Sequence, residues 1–207
     1  MANKVTFPSN ADDKDKLTRQ LEELDMSLND TERLLLNLAR LAKSMAKKAL
    51  DHTDYIFDID VKRQWQIGFN NDRFLKRWFG EVKSSGKAKN VRNRLEKLYK
   101  RTEKGITMNV KPNNDKESNA RNYGWVFTPR GMQVFPKLFE RFEDKNDKMA
   151  ATLLHELMHV WFQDKKIKGQ KVNEGSIALK LALHNPGEAR RSPDNYEHYC
   201  LIVWRDG

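Results

Sequence analysis

His155-Glu156-Leu157-Met158-His159 sets two imidazoles at i and i+4 with a carboxylate beside the first. On a helix those positions stack on one face, one turn apart, so two ring nitrogens can converge on a tetrahedral metal while Glu156 reaches a water there. The donor set suits Zn2+ and hydrolysis, because a Lewis acid can polarise a carbonyl while a carboxylate takes the proton from water. The pattern is short, so its context counts. Residues 148–154 before it and 160–162 after it contain no Gly or Pro, and Asp144 or Asp147 is placed to start a helix. Leu153, Leu154, Leu157, Val160 and Trp161 supply a broad apolar face. The plain structural alternative is two core histidines and a surface acid. Three polar groups on one buried helix are costly unless something coordinates or bonds them, which favours the metal.

A catalytic zinc takes three protein donors, so a further carboxylate or imidazole must follow His159. Asp164, Glu174, His184 and the acids Asp194 and Glu197 are the candidates. Glu174 stands in Asn173-Glu174-Gly175-Ser176 at the start of an expected helix, a context like the Asn-Glu-Gly in which glutamate-ligated zinc peptidases present their third donor. An acid in a first helical turn is also favoured by the macrodipole, so the ligand and structural readings of Glu174 both stand. Asp164 would need a tight turn with no Gly to make it, and His184 borders the Asn185-Pro186 break.

The elements that must position these groups read as mainly helical. Leucines and methionines recur at near-helical spacing over residues 14–50, with Asn29-Asp30-Thr31 as the break and Asp30 or Thr31 as the cap of the second helix. Residues 88–103 are helical again. Ile106, Met108 and Val110 alternate, as do Tyr123, Trp125 and Phe127, and Met132-Gln133-Val134-Phe135 follows the turn Thr128-Pro129-Arg130-Gly131. Three short strands in succession predict a small antiparallel sheet packed on the metal helix. The expected class is α+β, with residues 1–13 a loose arm and residues 14–207 one domain, helical to about 104 and carrying the site from about 105 onward.

The chain has 207 residues, enough to bury a substantial core. A single cysteine, Cys200, excludes an internal disulfide. No run is apolar enough to span a bilayer, and the N-terminal residues lack the apolar region of a cleaved signal peptide. Cytoplasmic synthesis is expected, with export, if it occurs, by a route that reads no such signal. Nearly all of the net charge of +10 sits in residues 73–104, which hold 12 Lys and Arg against 3 Glu. Such a segment can face an acidic partner surface, but Leu95, Leu98 and Tyr99 interrupt it at helical spacing and describe an amphipathic helix with a basic outer face. Nucleic acid is not the expected partner.

Several of these segments together resemble the aspzincin metallopeptidases, the family of deuterolysin and the peptidyl-Lys metalloendopeptidases. The resemblance rests on Arg77-Trp78-Phe79-Gly80 and the helix after it, on residues 132–139, on the metal helix at residues 150–159, and on Asn185-Pro186-Gly187-Glu188-Ala189 followed by Asp194-Asn195-Tyr196-Glu197. It implies a mainly helical zincin-like domain in which His155 and His159 bind zinc and Glu156 is the general base. It also implies that Asp194 and Glu197 line a pocket for a lysine ammonium, so that cleavage falls before lysine. The family's Gly-Thr-x-Asp-x-x-Tyr-Gly segment is missing between His159 and Ala178: Gln170 stands where its Asp ligand would fall and Asn173 where its Tyr would fall. Glu174 is the nearest acid to take the ligand's place, and Tyr196 or Tyr199 could supply the oxyanion-stabilising hydroxyl.

The expected function is therefore a zinc endopeptidase acting on a protein or peptide substrate, with an exported toxin or effector as one setting. The alternatives are a glutamate-ligated zinc peptidase of another fold, or a non-enzymatic protein that binds an acidic partner through residues 73–104.

Overall fold

Apolar residues at three- and four-residue intervals carry most of this chain into helix. The computed structural model describes residues 2–57, 64–113, 120–122, 131–142, 145–162, 166–167, 170–171 and 175–207. In chain order the elements are β1 (Lys4–Thr6), α1 (Ala11–Glu22), α2 (Leu28–Phe57), α3 (Gln64–Asn71), α4 (Arg73–Phe79), α5 (Ser85–Glu103), β2 (Thr107–Val110), β3 (Ala120–Asn122), β4 (Met132–Val134), α6 (Lys137–Arg141), α7 (Asn146–Met158), β5 (Lys166–Ile167), β6 (Gln170–Lys171), α8 (Gly175–His184), α9 (Pro186–Ala189) and α10 (Pro193–Asp206). The α+β class expected from the sequence holds. No described helix is long and apolar enough to cross a membrane.

The first helical break falls earlier than the sequence suggested. Asp25 adopts a left-handed conformation (φ 55°), and the Met26 N–H returns to the Leu21 carbonyl at 2.9 Å, which closes α1. Ser27 then caps α2: its hydroxyl oxygen accepts the Asp30 N–H at 3.1 Å while the Asp30 carboxylate accepts the Ser27 N–H at 3.3 Å. Asp30 is thus the reciprocal partner in a capping box and not the cap, and Thr31 is a buried helical residue whose hydroxyl donates to the Ser27 carbonyl.

The chain forms two compact units, residues 1–43 with 101–160 and residues 44–100 with 161–207. The division near residue 104 read from the sequence does not separate them. The buried stripe of α2 runs from Leu35 and Leu38 through Met45 to Ala49 without interruption, so nothing in its pattern marks the change of unit.

In the first unit four strands lie in the order β1-β2-β4-β3. β1 pairs with β2 in parallel, Val5 opposite Met108, and β2 pairs with β4 in parallel, Met108 opposite Met132. Only β3 runs antiparallel, against β4. The expected antiparallel sheet is corrected here to a mixed, mainly parallel one. Alternation reports which residues face the core, and Met108, Val110, Met132 and Val134 are buried, but it carries no information on strand direction. Residues 1–13 are likewise not a loose arm. Their strand is held by the Lys4 N–H donating to the Ile106 carbonyl at 3.0 Å, and Asn10 caps α1 by accepting the Asp13 N–H at 2.8 Å. Gly131 (φ +84°) sits so close to the Thr107 carbonyl that a Cβ would lie 2.7 Å from it, which requires glycine at the start of β4. Tyr123, Trp125, Phe127 and the turn at residues 128–130 lie outside the described residues. Helix α7, which carries His155 and is C-capped by His159, packs against β3, as the sequence led us to expect.

In the second unit α4 packs against α3, α8, α9 and α10. Asp72 caps it, accepting the Phe74 and Leu75 N–H groups at 3.0 and 2.7 Å, and Phe74, Leu75, Trp78 and Phe79 are buried. Gly80 ends it at φ +65°, where a Cβ would meet the Ala182 carbonyl oxygen at 2.3 Å and Pro186 at 2.8 Å. Two further short strands of this unit pair antiparallel, Lys166 opposite Lys171 and Ile167 opposite Gln170.

Candidate metal centre

Helix α7 ends on the paired histidines. His155 and Glu156 lie in its last turn, and His159 is its C-cap, with helical backbone angles (φ −61°, ψ −14°) and its N–H bonded to the Glu156 carbonyl at 3.3 Å. The i, i+4 stacking is therefore realised although the helix stops there: the imidazole centroids are 4.8 Å apart with their planes at 79°. The start of α7 differs from expectation. Lys145 precedes the helix without a side-chain cap, and Asp147 sits in the first turn, where its carboxylate accepts the Lys148 N–H at 2.8 Å; Asp144 lies outside the described residues. Leu153, Leu154, Leu157 and Met158 are buried, whereas Trp161 is 36% exposed, because the helical period lapses after His159.

A ring nitrogen of His155, a ring nitrogen of His159 and a carboxylate oxygen of Glu156 all lie within 4.8 Å of one another. Tetrahedral zinc, at about 2.0–2.1 Å from each nitrogen, needs donors roughly 3.4 Å apart, a separation that falls inside the 4.8 Å bounding this group. Both imidazoles stand at the C-terminal end of α7, where the aligned carbonyls place partial negative charge and favour a cation. By donor type and spacing these residues fit zinc.

The other nominated residues belong to the second unit or lie outside the described residues. Asp164, Asn173 and Glu174 are in the latter group. Asp194 and Glu197 stand three residues apart on α10, on one face; Asp194 is buried and accepts the Ser192 hydroxyl at 3.3 Å, and Glu197 is half-buried. Tyr196 is fully buried, its hydroxyl donates to the Arg190 carbonyl at 3.3 Å, and burial pushes its phenol up to about 12. That hydroxyl is committed to the backbone. Tyr199 is also buried and gives its hydroxyl contact to His52 Nδ1 at 2.8 Å.

The outer motifs of the resemblance meet inside the second unit as packing. The Asn195 amide donates to the carbonyls of Trp78 (2.7 Å) and Ala178 (2.9 Å) and so ties α10 to α4 and α8. Phe79 packs against Tyr196 and Tyr199 with centroids at 4.7 and 5.2 Å, and Arg190 donates to the Phe79 carbonyl at 3.1 Å. A network missed in the sequence links three helices here: His52 of α2 lies between Tyr199 and Asp72, whose carboxylate is 3.3 Å from Nε2. Asp72 was legible as an Asx residue before an apolar run; nothing local marks His52.

The basic segment is partly spent on the fold. Arg92 pairs with Asp54 and Glu96, Lys100 with Glu96 and Lys76 with Glu81, while Arg94 donates to the Arg190 carbonyl and lies over the Phe162 ring. An amphipathic helix with a solvated basic face describes most of it.

No protein-family model and no curated protein matches the chain. Among solved structures it is similar to a zinc peptidase from Grifola frondosa, at 17% identity and a TM-score of 0.63, over 87% of this chain and 99% of that one. The likeness shows a shared fold, a mainly helical α+β architecture, on which the paired histidines of α7 sit.

Proposed function

We propose that this chain is a zinc-dependent endopeptidase, a divergent relative of the aspzincins, with His155 and His159 as zinc donors and Glu156 as general base. The observation that carries the reading is the convergence of these three groups within 4.8 Å at the end of α7; the fold shared with a zinc peptidase supports it. Zinc held there supplies Lewis acidity toward the scissile carbonyl and toward water. Glu156 takes the proton from the attacking water and passes it to the leaving amine. The two imidazoles hold the metal only when neutral, so affinity falls in acid.

As third donor we propose Glu174, supported by its Asn-Glu-Gly context and by the start of α8 at Gly175. Zinc analysis separates the choices: Glu174→Ala is expected to lose stoichiometric zinc and Asp164→Ala to keep it. Cleavage before lysine is proposed from the two carboxylates of Asp194 and Glu197 on one face of α10, which could pair with an ammonium. Mapping cut sites in a peptide library with and without chelator tests it. Tyr196 has no role in this proposal. The decisive experiment is Glu156→Gln, expected to keep fold and zinc and to lose peptide cleavage; unchanged cleavage refutes the assignment.

A further inference from the structure

We infer that the second unit carries a preformed groove for an acidic, apolar peptide segment, walled by α3, the connection from α4 to α5, and α8. The groove encloses about 640 Å³, a size typical of sites that seat a small ligand or the anchor residues of a peptide. Its lining is apolar where Val82, Leu179 and Pro186 meet, and Leu183 stands at it 75% exposed. A single exposed leucine needs no explanation, but one bordering a concave apolar surface does.

The rim is basic. Lys76 pairs with Glu81 at 2.8 Å. That leaves Arg77 and Lys83, both exposed, with no carboxylate partner among the described residues. Two exposed cations without a carboxylate partner among the described residues, beside an apolar recess, select an occupant that presents apolar side chains flanked by carboxylates. A basic segment would be repelled, and a purely apolar one would leave the cations unused.

The walls are held in place without an occupant. The Asn70 side chain donates to the Val82 carbonyl at 3.0 Å and accepts the Val82 N–H at 2.9 Å, which pins the α4–α5 connection to α3. Gly80 brings the same connection against the Ala182 carbonyl, where no Cβ fits. A site already shaped in this way spends little free energy on ordering when it binds. None of these residues belongs to the metal centre, so the inference stands apart from the peptidase proposal.

The test is direct binding to the full chain, read by fluorescence anisotropy with a short labelled peptide alternating leucine and glutamate, beside its lysine counterpart and laurate. Wild type is expected to bind the acidic peptide at least about tenfold more tightly than the basic one, and less tightly as salt rises. Arg77→Glu with Lys83→Glu, and separately Leu183→Asp, are each expected to weaken it about tenfold. All three positions are exposed, and thermal melts of the variants check that the fold is kept. Equal binding of the basic peptide, or undiminished binding in both variants, would overturn the inference. Binding of laurate without binding of the acidic peptide would overturn it too and assign the groove to an amphiphilic anion.

Discussion

Removing the Asp72 carboxylate tests how the second unit is held together. One oxygen of Asp72 accepts the Phe74 and Leu75 N–H groups at 3.0 and 2.7 Å, and the other lies 3.3 Å from His52 Nε2. Its side chain is 15% exposed, so little of this is screened by water. The cap contributes about 1 kcal/mol, and the bond to His52 about another. Asp72→Ala is therefore expected to destabilise by about 2 kcal/mol, and Asp72→Asn, which keeps an acceptor for the N–H groups, by about 1 kcal/mol or less. Urea unfolding followed by tryptophan fluorescence measures both, since Trp78 is buried in α4. The pH dependence adds a second handle. Burial alone would raise the Asp72 pKa, but the bonds from His52, Leu75 and Phe74 outweigh it and hold the carboxyl below the ordinary range. As pH falls, Asp72 of the unfolded chain takes up its proton first, near about pH 4. The advantage of wild type over the Asn variant is then full above that pH and closes as pH falls through the lower folded value. An Ala variant within about 0.5 kcal/mol of wild type, or a gap to the Asn variant that widens in acid, would refute this account.

Three further outcomes are expected. Gly80→Ala combines a positive φ with a Cβ driven into the Ala182 carbonyl and Pro186, so a loss of roughly 3 kcal/mol or failure to fold should appear in thermal melts. Chelation should lower the melting temperature of the zinc-loaded protein and leave that of His155→Ala unchanged; an equal shift in both would place the metal elsewhere. Burial raises the phenols of Tyr196 and Tyr199, so unfolded tyrosines ionise first, and stability should fall as pH rises past about 10. Ultraviolet titration of the folded protein should show both phenols neutral at that pH.

Much of the frame was legible because it depends on local periodicity. The stripe of α2, the helical pattern of α5, and the strands at residues 107–110 and 132–134 follow from apolar spacing that each segment carries by itself. Strand direction and the pairing of Lys4–Thr6 with β2 were not legible, since both depend on where distant residues arrive. The cap of α2 was misplaced by a few residues because Ser27, Asp30 and Thr31 are all competent caps, and the turn at Asp25 decides among them.

For the site the division is similar. The sequence alone determined the pairing of the two histidines: i, i+4 spacing on a helix without Gly or Pro leaves His155 and His159 on one face, and the carboxylate beside the first follows from adjacency. Tertiary structure decided the fate of the outer motifs. Trp78, Phe79, Asn195 and Tyr196 carry part of the family resemblance, yet the Asn195 amide and the Tyr196 hydroxyl donate to backbone carbonyls and Phe79 packs on the Tyr196 ring in the core of the second unit. The His52 network and the groove beside Leu183 join residues far apart in the chain, and only folding brings such groups within bonding distance of one another.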